Sequence, residues 1–364
     1  MSKTEVIAPT VTTIVSLRGT ADSRVKNVTL RGLAFAVTTV PLIAGGFAAR
    51  NFDGAISLGN TENCAFSGLT IRSVAGHAIK AERGDIGTLV TDCEVAQCGA
   101  GGIYVGGTSS VISNNLVQSV GLSYPSAAAL HGGGNGLLIS HNEIHDCPYS
   151  GICYGASASV FEDNLIYDCM KVLGDGAAIY LSGAKDSVLR RNVARDITDI
   201  SPGYGASAYY LDERCARCLV ENNLALRVAQ PSHNHMATNN IIRNNVFLVP
   251  GDTRLTFPRC DSFSFERNIL YATGKIRMEG ANAVTNWSKN LFFSSAGIVE
   301  QVQLDRYRAT GTSTDLPKDT VMADPRFRDW RAGDFRFELD SPALKLGIQP
   351  LDISSAGRVR KVKP

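Results

Sequence analysis

The chain has 364 residues, 36 basic against 34 acidic, for a net charge of +2. It carries no basic stripe with interleaved aromatics and no apolar run long enough to cross a bilayer, so neither nucleic acid nor a membrane is an expected partner. The nine cysteines are an odd number and read as mostly reduced and structural. A secreted or periplasmic home is expected if a leader has been removed, and a cytoplasmic one otherwise.

Residues 1–24 are polar overall, with Val6 to Ile14 apolar enough for an initial strand or a cap. From the first coil, Asn27 to Phe35, a phrase recurs down the chain: a small residue, a β-rich run, a polar step, then Asn, any residue and an apolar one. Aligned on its Asn, the phrase gives Asn115, Asn142, Asn164, Asn192, Asn223, Asn245, Asn268 and Asn290, at steps of 22 to 31 residues. Leu33, Leu69 and Cys93 fill the same slot upstream. No segment shows the 3.6-residue apolar spacing of a helix. A coil of about 22 residues with two or three short strands is one turn of a parallel β-helix, which buries a core only by stacking. The expected fold is therefore all-β, a solenoid of about a dozen coils with a C-terminal irregular tail.

Two further files support the register. Asn tolerates left-handed backbone angles, and its amide can bond to the matching Asn of the next coil. Five residues past the anchor come Cys98, Val120, Cys147, Cys169, Ile197 and Val228, an expected interior file; four past it, Asp146, Asp168 and Asp196 read as turn formers. The period stretches at 36–54, 121–136, 170–176 and 199–207, which predicts loops that project from neighbouring coils and build one cleft. Residues 1–296 form the expected β-helix domain, and 297–364 a tail that packs on it or caps it.

The cleft is expected to hold the chemistry. Asp175 in GDGAAIY precedes one strand, and Asp212 in YYLDER closes the corresponding strand of the next coil. Two carboxyls facing each other across a sugar ring meet the requirement of glycoside hydrolysis, one protonated and one ionised. Tyr124, Tyr154, Tyr180 and Tyr210 suit stacking on sugar. His131 is the histidine best placed for substrate contact, because its glycine neighbours would let it approach a ligand. His141 is cleft-lining or structural, Glu213 points away from Asp212, and Arg214 stands near the mouth. His233 and His235 lie close together but lack a third metal ligand, and Cys215 with Cys218 is a lone pair without a partner motif. No GxSxG, phosphate loop, dinucleotide turn or HExxH is present, and no cofactor or metal is expected.

These stretches, with VTLRGLAF, FDGAISLGNTENCAFSGLTIRSVAGHAI, GAGGIYVGG and HNEIHDCPYSGI, resemble the right-handed parallel β-helix proteins of bacterial polysaccharide degradation, and most of all glycoside hydrolase family 141. The resemblance implies a single-stranded right-handed parallel β-helix, a carbohydrate substrate, an α-L-fucosidase or xylanase type of activity, and Asp175 and Asp212 as the catalytic pair. A polysaccharide lyase or uronate epimerase, using Lys171, Arg214 or Tyr180, is the alternative on the same fold. A noncatalytic glycan-binding β-helix is the third reading.

Overall fold

The computed structural model describes residues 6–199 and 203–359. Three parallel sheets of 13, 11 and 12 strands run the length of the molecule. Each strand pairs with its counterpart one coil away, as Val111–Ser113 does with Leu89–Thr91 on one side and Leu138–Ser140 on the other. The stack makes about 11 turns, and its interior is one continuous apolar column. The expected interior file is there, with Cys98, Val120, Cys147, Cys169, Ile197 and Val228 all buried.

The anchor Asn sits at the bend between the second and third sheets, but the left-handed residue is the one before it. Asn114, Asp163, Arg191, Asn222 and Lys289 all take φ between 53° and 58° there. The anchor itself is buried and contributes its amide. Asn142 Nδ2 donates to Asn164 Oδ1 at 3.0 Å and to Ile112 O at 2.9 Å, and its backbone N–H donates to the same Asn164 Oδ1. The side-chain chain is unbroken from Asn115 to Asn290. From Asn115 to Asn268 every amide is satisfied from above and below, which is the condition under which burying one is favourable.

Three boundaries differ from expectation. Val6, Ile7, Val11 and Ile14 are exposed and form no strand; the first sheet begins at Val15–Arg18. The insertions end earlier than the stretched period suggested, because Gly54–Gly59, Leu130–Asn135, Gly176–Leu181 and Ala206–Leu211 are all strands of the first sheet. Of the last insertion, residues 200–202 lie outside the described residues, as do 1–5 and 360–364 of the two end segments. All four insertions thus enter the same sheet from the same bend. Parallel stacking also continues past residue 296, with Val299–Asp305 joining the first sheet and Thr320–Met322 the third.

Arg308–Ser313 folds back antiparallel on Val299–Asp305 and closes the first sheet. Beyond it the tail lies along the outside of the third sheet, with Phe335, Phe337, Ile348 and Leu351 covering Leu224, Val246, Leu248, Ile269 and Leu291. Burying one such side chain is worth about 1.5–3 kcal/mol, whereas an exposed ion pair such as Arg336–Asp334 is screened by solvent, so apolar cover is what holds the tail.

Candidate functional site

Successive residues of a strand point to opposite faces, so a register match from coil to coil becomes a file of side chains on the surface. On the outer face of the first sheet the file runs Lys80, Tyr104, His131, Cys153, Tyr180, Tyr210, His233, Thr256 and Glu279. Two residues beyond Tyr210 and His233 come Asp212 and His235, whose side chains meet across adjacent coils. Asp175 enters from the bend before Gly176–Leu181, in a left-handed conformation with φ 55°.

The two aspartates stand in one cluster, each held by its own hydrogen bonds. Tyr180 Oη donates to Asp212 Oδ2 at 2.5 Å, and His235 Nδ1 lies 2.8 Å from Asp212 Oδ1. Tyr210 Oη donates to Asp175 Oδ1 at 3.3 Å, and Tyr149 Oη to the Asp175 carbonyl at 2.7 Å. The Tyr180 and Tyr210 rings pack edge to face with centroids 4.7 Å apart, so each carboxyl is held by one member of a packed aromatic pair. His235 Nε2 lies 2.7 Å from Tyr307 Oη. Both ring nitrogens thus have a partner, with Nδ1 donating to the carboxylate.

The environments of the two carboxyls differ. Asp212 is 8% exposed and faces two donors. Asp175 keeps an open edge to solvent, yet the surrounding walls withhold hydration from its carboxyl. That desolvation, and then the charge of Asp212, push it above the ordinary carboxylate range, against the smaller opposing effects of Tyr210 and His235. Burial likewise raises the Tyr180 and Tyr210 hydroxyls, which stay protonated donors. Burial lowers His233 to about 3, so its ring is neutral.

Not every expected site residue reaches this cluster. His131 lies on the same outer file toward the N-terminal coils, 5.3 Å from the Tyr104 ring and 6.0 Å from that of Phe47, with burial lowering it to about 4. Its glycine neighbours serve the sheet: a Cβ at Gly132 or Gly134 would collide with the carbonyls of Val105 and Gly107. Tyr124 packs on Phe52 at 4.2 Å and pins the first insertion instead of lining the cluster. Tyr154 belongs to the core. It falls one residue past the outward Cys153, faces inward and packs against Phe161. His141 occupies the left-handed corner on another side of the coil, where its Nδ1 lies 3.0 Å from Ser355 O of the tail. Glu213 and Arg214 are exposed in the turn after Asp212, with no side-chain hydrogen bond among the described residues. Lys171 is engaged by Asp146 and Asp168.

Three residues of the cluster were not singled out for it from sequence. His235 follows Asp212 by one plain coil, a signal the period carried. Tyr149 precedes Gly151 on the entering bend. Tyr307 arrives on the terminal hairpin and leaves no periodic trace. Among the described residues no three of His, Cys, Asp and Glu stand together as a metal ligand set.

A family model described as a right handed beta helix region matches residues 87–247. No curated protein matches the sequence. Among solved structures, one titled as a glycoside hydrolase is similar with a TM-score of 0.57 at 20% identity, over 65% of this chain and 51% of that one. A complex of XylC with xylose has a TM-score of 0.46 at 15% identity, over 82% and 53% of the two chains. A DFA-IIIase mutant from Arthrobacter chlorophenolicus has 0.33 at 15%, over 76% and 67%. The chain spans about half the length of the first two. At these identities the likeness is one of architecture: the chain is a right-handed parallel β-helix, all-β among the described residues but for one short α-helix and three single-turn 3-10 helices.

Proposed function

We propose that the chain is a carbohydrate-active enzyme that hydrolyses glycosidic bonds, with Asp175 and Asp212 as its two carboxyls. The observation that carries this reading is their pairing in one aromatic-walled cluster with opposed environments. Asp175, raised above the ordinary range, is the proton donor to the departing glycosidic oxygen. Asp212 is the ionised partner, and it attacks the anomeric carbon or takes a proton from the water that does. His235 orients Asp212, whose carboxylate holds the proton on His235 Nδ1, and Tyr307 anchors the ring at Nε2. The tyrosine-rich outer file suits stacking on sugar rings.

The family resemblance makes fucosylated and xylan-type oligosaccharides the first substrates to test, beside uronate-containing ones. New reducing ends without ultraviolet absorbance, lost in Asp175→Asn and Asp212→Asn, are the expected result. An absorbing unsaturated uronate product would replace hydrolysis with elimination.

A further inference from the structure

Beside the carboxyl pair, a cavity of about 200 Å³ opens between the strands Gln230–Asn234 and Thr253–Thr256 and the turn that carries Tyr307. Gln230, His233 and Thr256 form one side of its wall, and Tyr204, Pro258 and Tyr307 offer flat apolar faces on the other. Two of the buried side-chain polar atoms that lack a partner among the described residues belong to its wall: Gln230 Oε1 and His233 Nε2. A buried polar group without a partner is costly, and two of them in the wall of one cavity mark a place where a ligand supplies the missing partners.

The wall also states what the ligand must present. Gln230 Nε2 lies 3.0 Å from Thr256 Oγ1, and the same hydroxyl hydrogen-bonds to His233 Nδ1. A hydroxyl has one proton to give. If the Gln230 amide and His233 Nδ1 both donate to it, two acceptors are left, at Gln230 and His233 Nε2; if only the amide donates, its proton goes to His233 Nδ1, leaving a donor at His233 Nε2 and an acceptor at Gln230. If the amide is turned over, both roles exchange. Each arrangement leaves two groups that hydroxyls complete, since a hydroxyl both donates and accepts. The ionised groups of the wall are already paired: Arg254 with Asp199 at 3.3 Å and Glu279 with Arg277 at 2.8 Å.

We infer that this cavity is a subsite for one neutral sugar ring, which places two hydroxyls on Gln230 and His233 and a ring face against Tyr204 and Tyr307. The inference rests on the proposed function and narrows its substrate from glycans in general to those with a neutral residue next to the cleaved bond.

The test is binding of D-xylose, L-fucose and D-glucuronate to the full chain by calorimetry, with turnover measured in parallel. A neutral sugar is expected to bind more tightly than glucuronate. Thr256→Val and Gln230→Met are each expected to weaken neutral-sugar binding about tenfold, the scale of one lost hydrogen bond. Their melting temperatures, compared with that of the unaltered chain, separate a lost contact from a lost fold. Tighter binding of glucuronate overturns the inference, as does neutral-sugar binding indifferent to both substitutions. Glycan cleavage that both variants preserve in kcat and KM retains the hydrolase and removes the subsite. Neutral-sugar binding that depends on Thr256 without cleavage of any glycan retains the subsite and removes the hydrolase.

Discussion

Two buried amides on this solenoid have opposite circumstances. Asn192, in the ladder, donates to Phe161 O and Asn223 Oδ1 and accepts from both nitrogens of Asn164. Gln230, two coils nearer the C-terminus on the first sheet, is as deeply buried, yet its Oε1 has no partner among the described residues. Both are polar, but only Asn192 recurs with the coil; Gln230 stands in register with Ser207. The difference is that the ladder is closed on itself, while the wall beside Asp212 is left open to be completed from outside. A solenoid can afford such an opening on one face because the neighbouring coils hold the backbone in place.

The largest expected effect lies on the open side. Asp212→Asn keeps the shape of the carboxylate but removes its charge, and turnover should fall by about 10³-fold or more, with the melting temperature little changed. Asp175→Asn should lose activity on a similar scale. If both variants cleave as the unaltered chain does, the cluster has no catalytic role.

The pH dependence divides the same two regions. Turnover should decline as pH rises through the elevated pKa of Asp175, since the donor must keep its proton, and that limb should move to lower pH when Asp212 loses its charge. Stability should respond with the opposite sign. His77, His131 and His233 are lowered to about 3, 4 and 3, chiefly by burial, so the unfolded chain binds more protons than the folded one between those values and the ordinary 6.5. Stability contributed by their neutral forms is present above about pH 6.5 and lost as pH falls, at up to about 1.4 kcal/mol per pH unit for each ring. Urea unfolding at stepped pH checks this; a midpoint unchanged from pH 7 to pH 4.5 would contradict it.

On the closed side, Asn192→Leu removes the partner of the Asn164 backbone N–H and the Asn192 amide from Phe161 O, leaving Asn164 Nδ2 with Ile139 O alone, and should cost about 3 kcal/mol. It should do so without altering KM. Denaturant unfolding alongside kinetics distinguishes this from Gln230→Met, which should alter binding with little change in stability. The smallest effect is expected at His141, away from both: His141→Asn keeps a residue tolerant of the left-handed corner, and activity should stay within about twofold. A larger loss of activity would tie the tail contact at Ser355 to the site.

Much of this was legible in the sequence where contact and period coincide. Asn142 meets Asn164 because they are one coil apart, and the stack turns a spacing along the chain into a neighbour in space. The same rule joined Cys147 to Cys169 in the interior file and would have joined Asp212 to His235. It failed one residue off register, where Tyr154 looked like a cleft aromatic and proved to face the core beside the outward Cys153. It failed also at His141, whose place before the anchor Asn marked a backbone corner.

The sequence by itself determined the coil, the stacked amide and the column of small apolar residues, because each repeats with the period of the solenoid and is satisfied by the next copy of itself. Only the tertiary structure decided which side chains share the site. Asp175 stands on an insertion of irregular length, and Tyr307 returns from the one hairpin that closes the first sheet. Neither has a periodic counterpart, so no spacing along the chain could place Asp175 against Tyr210 or Tyr307 against His235.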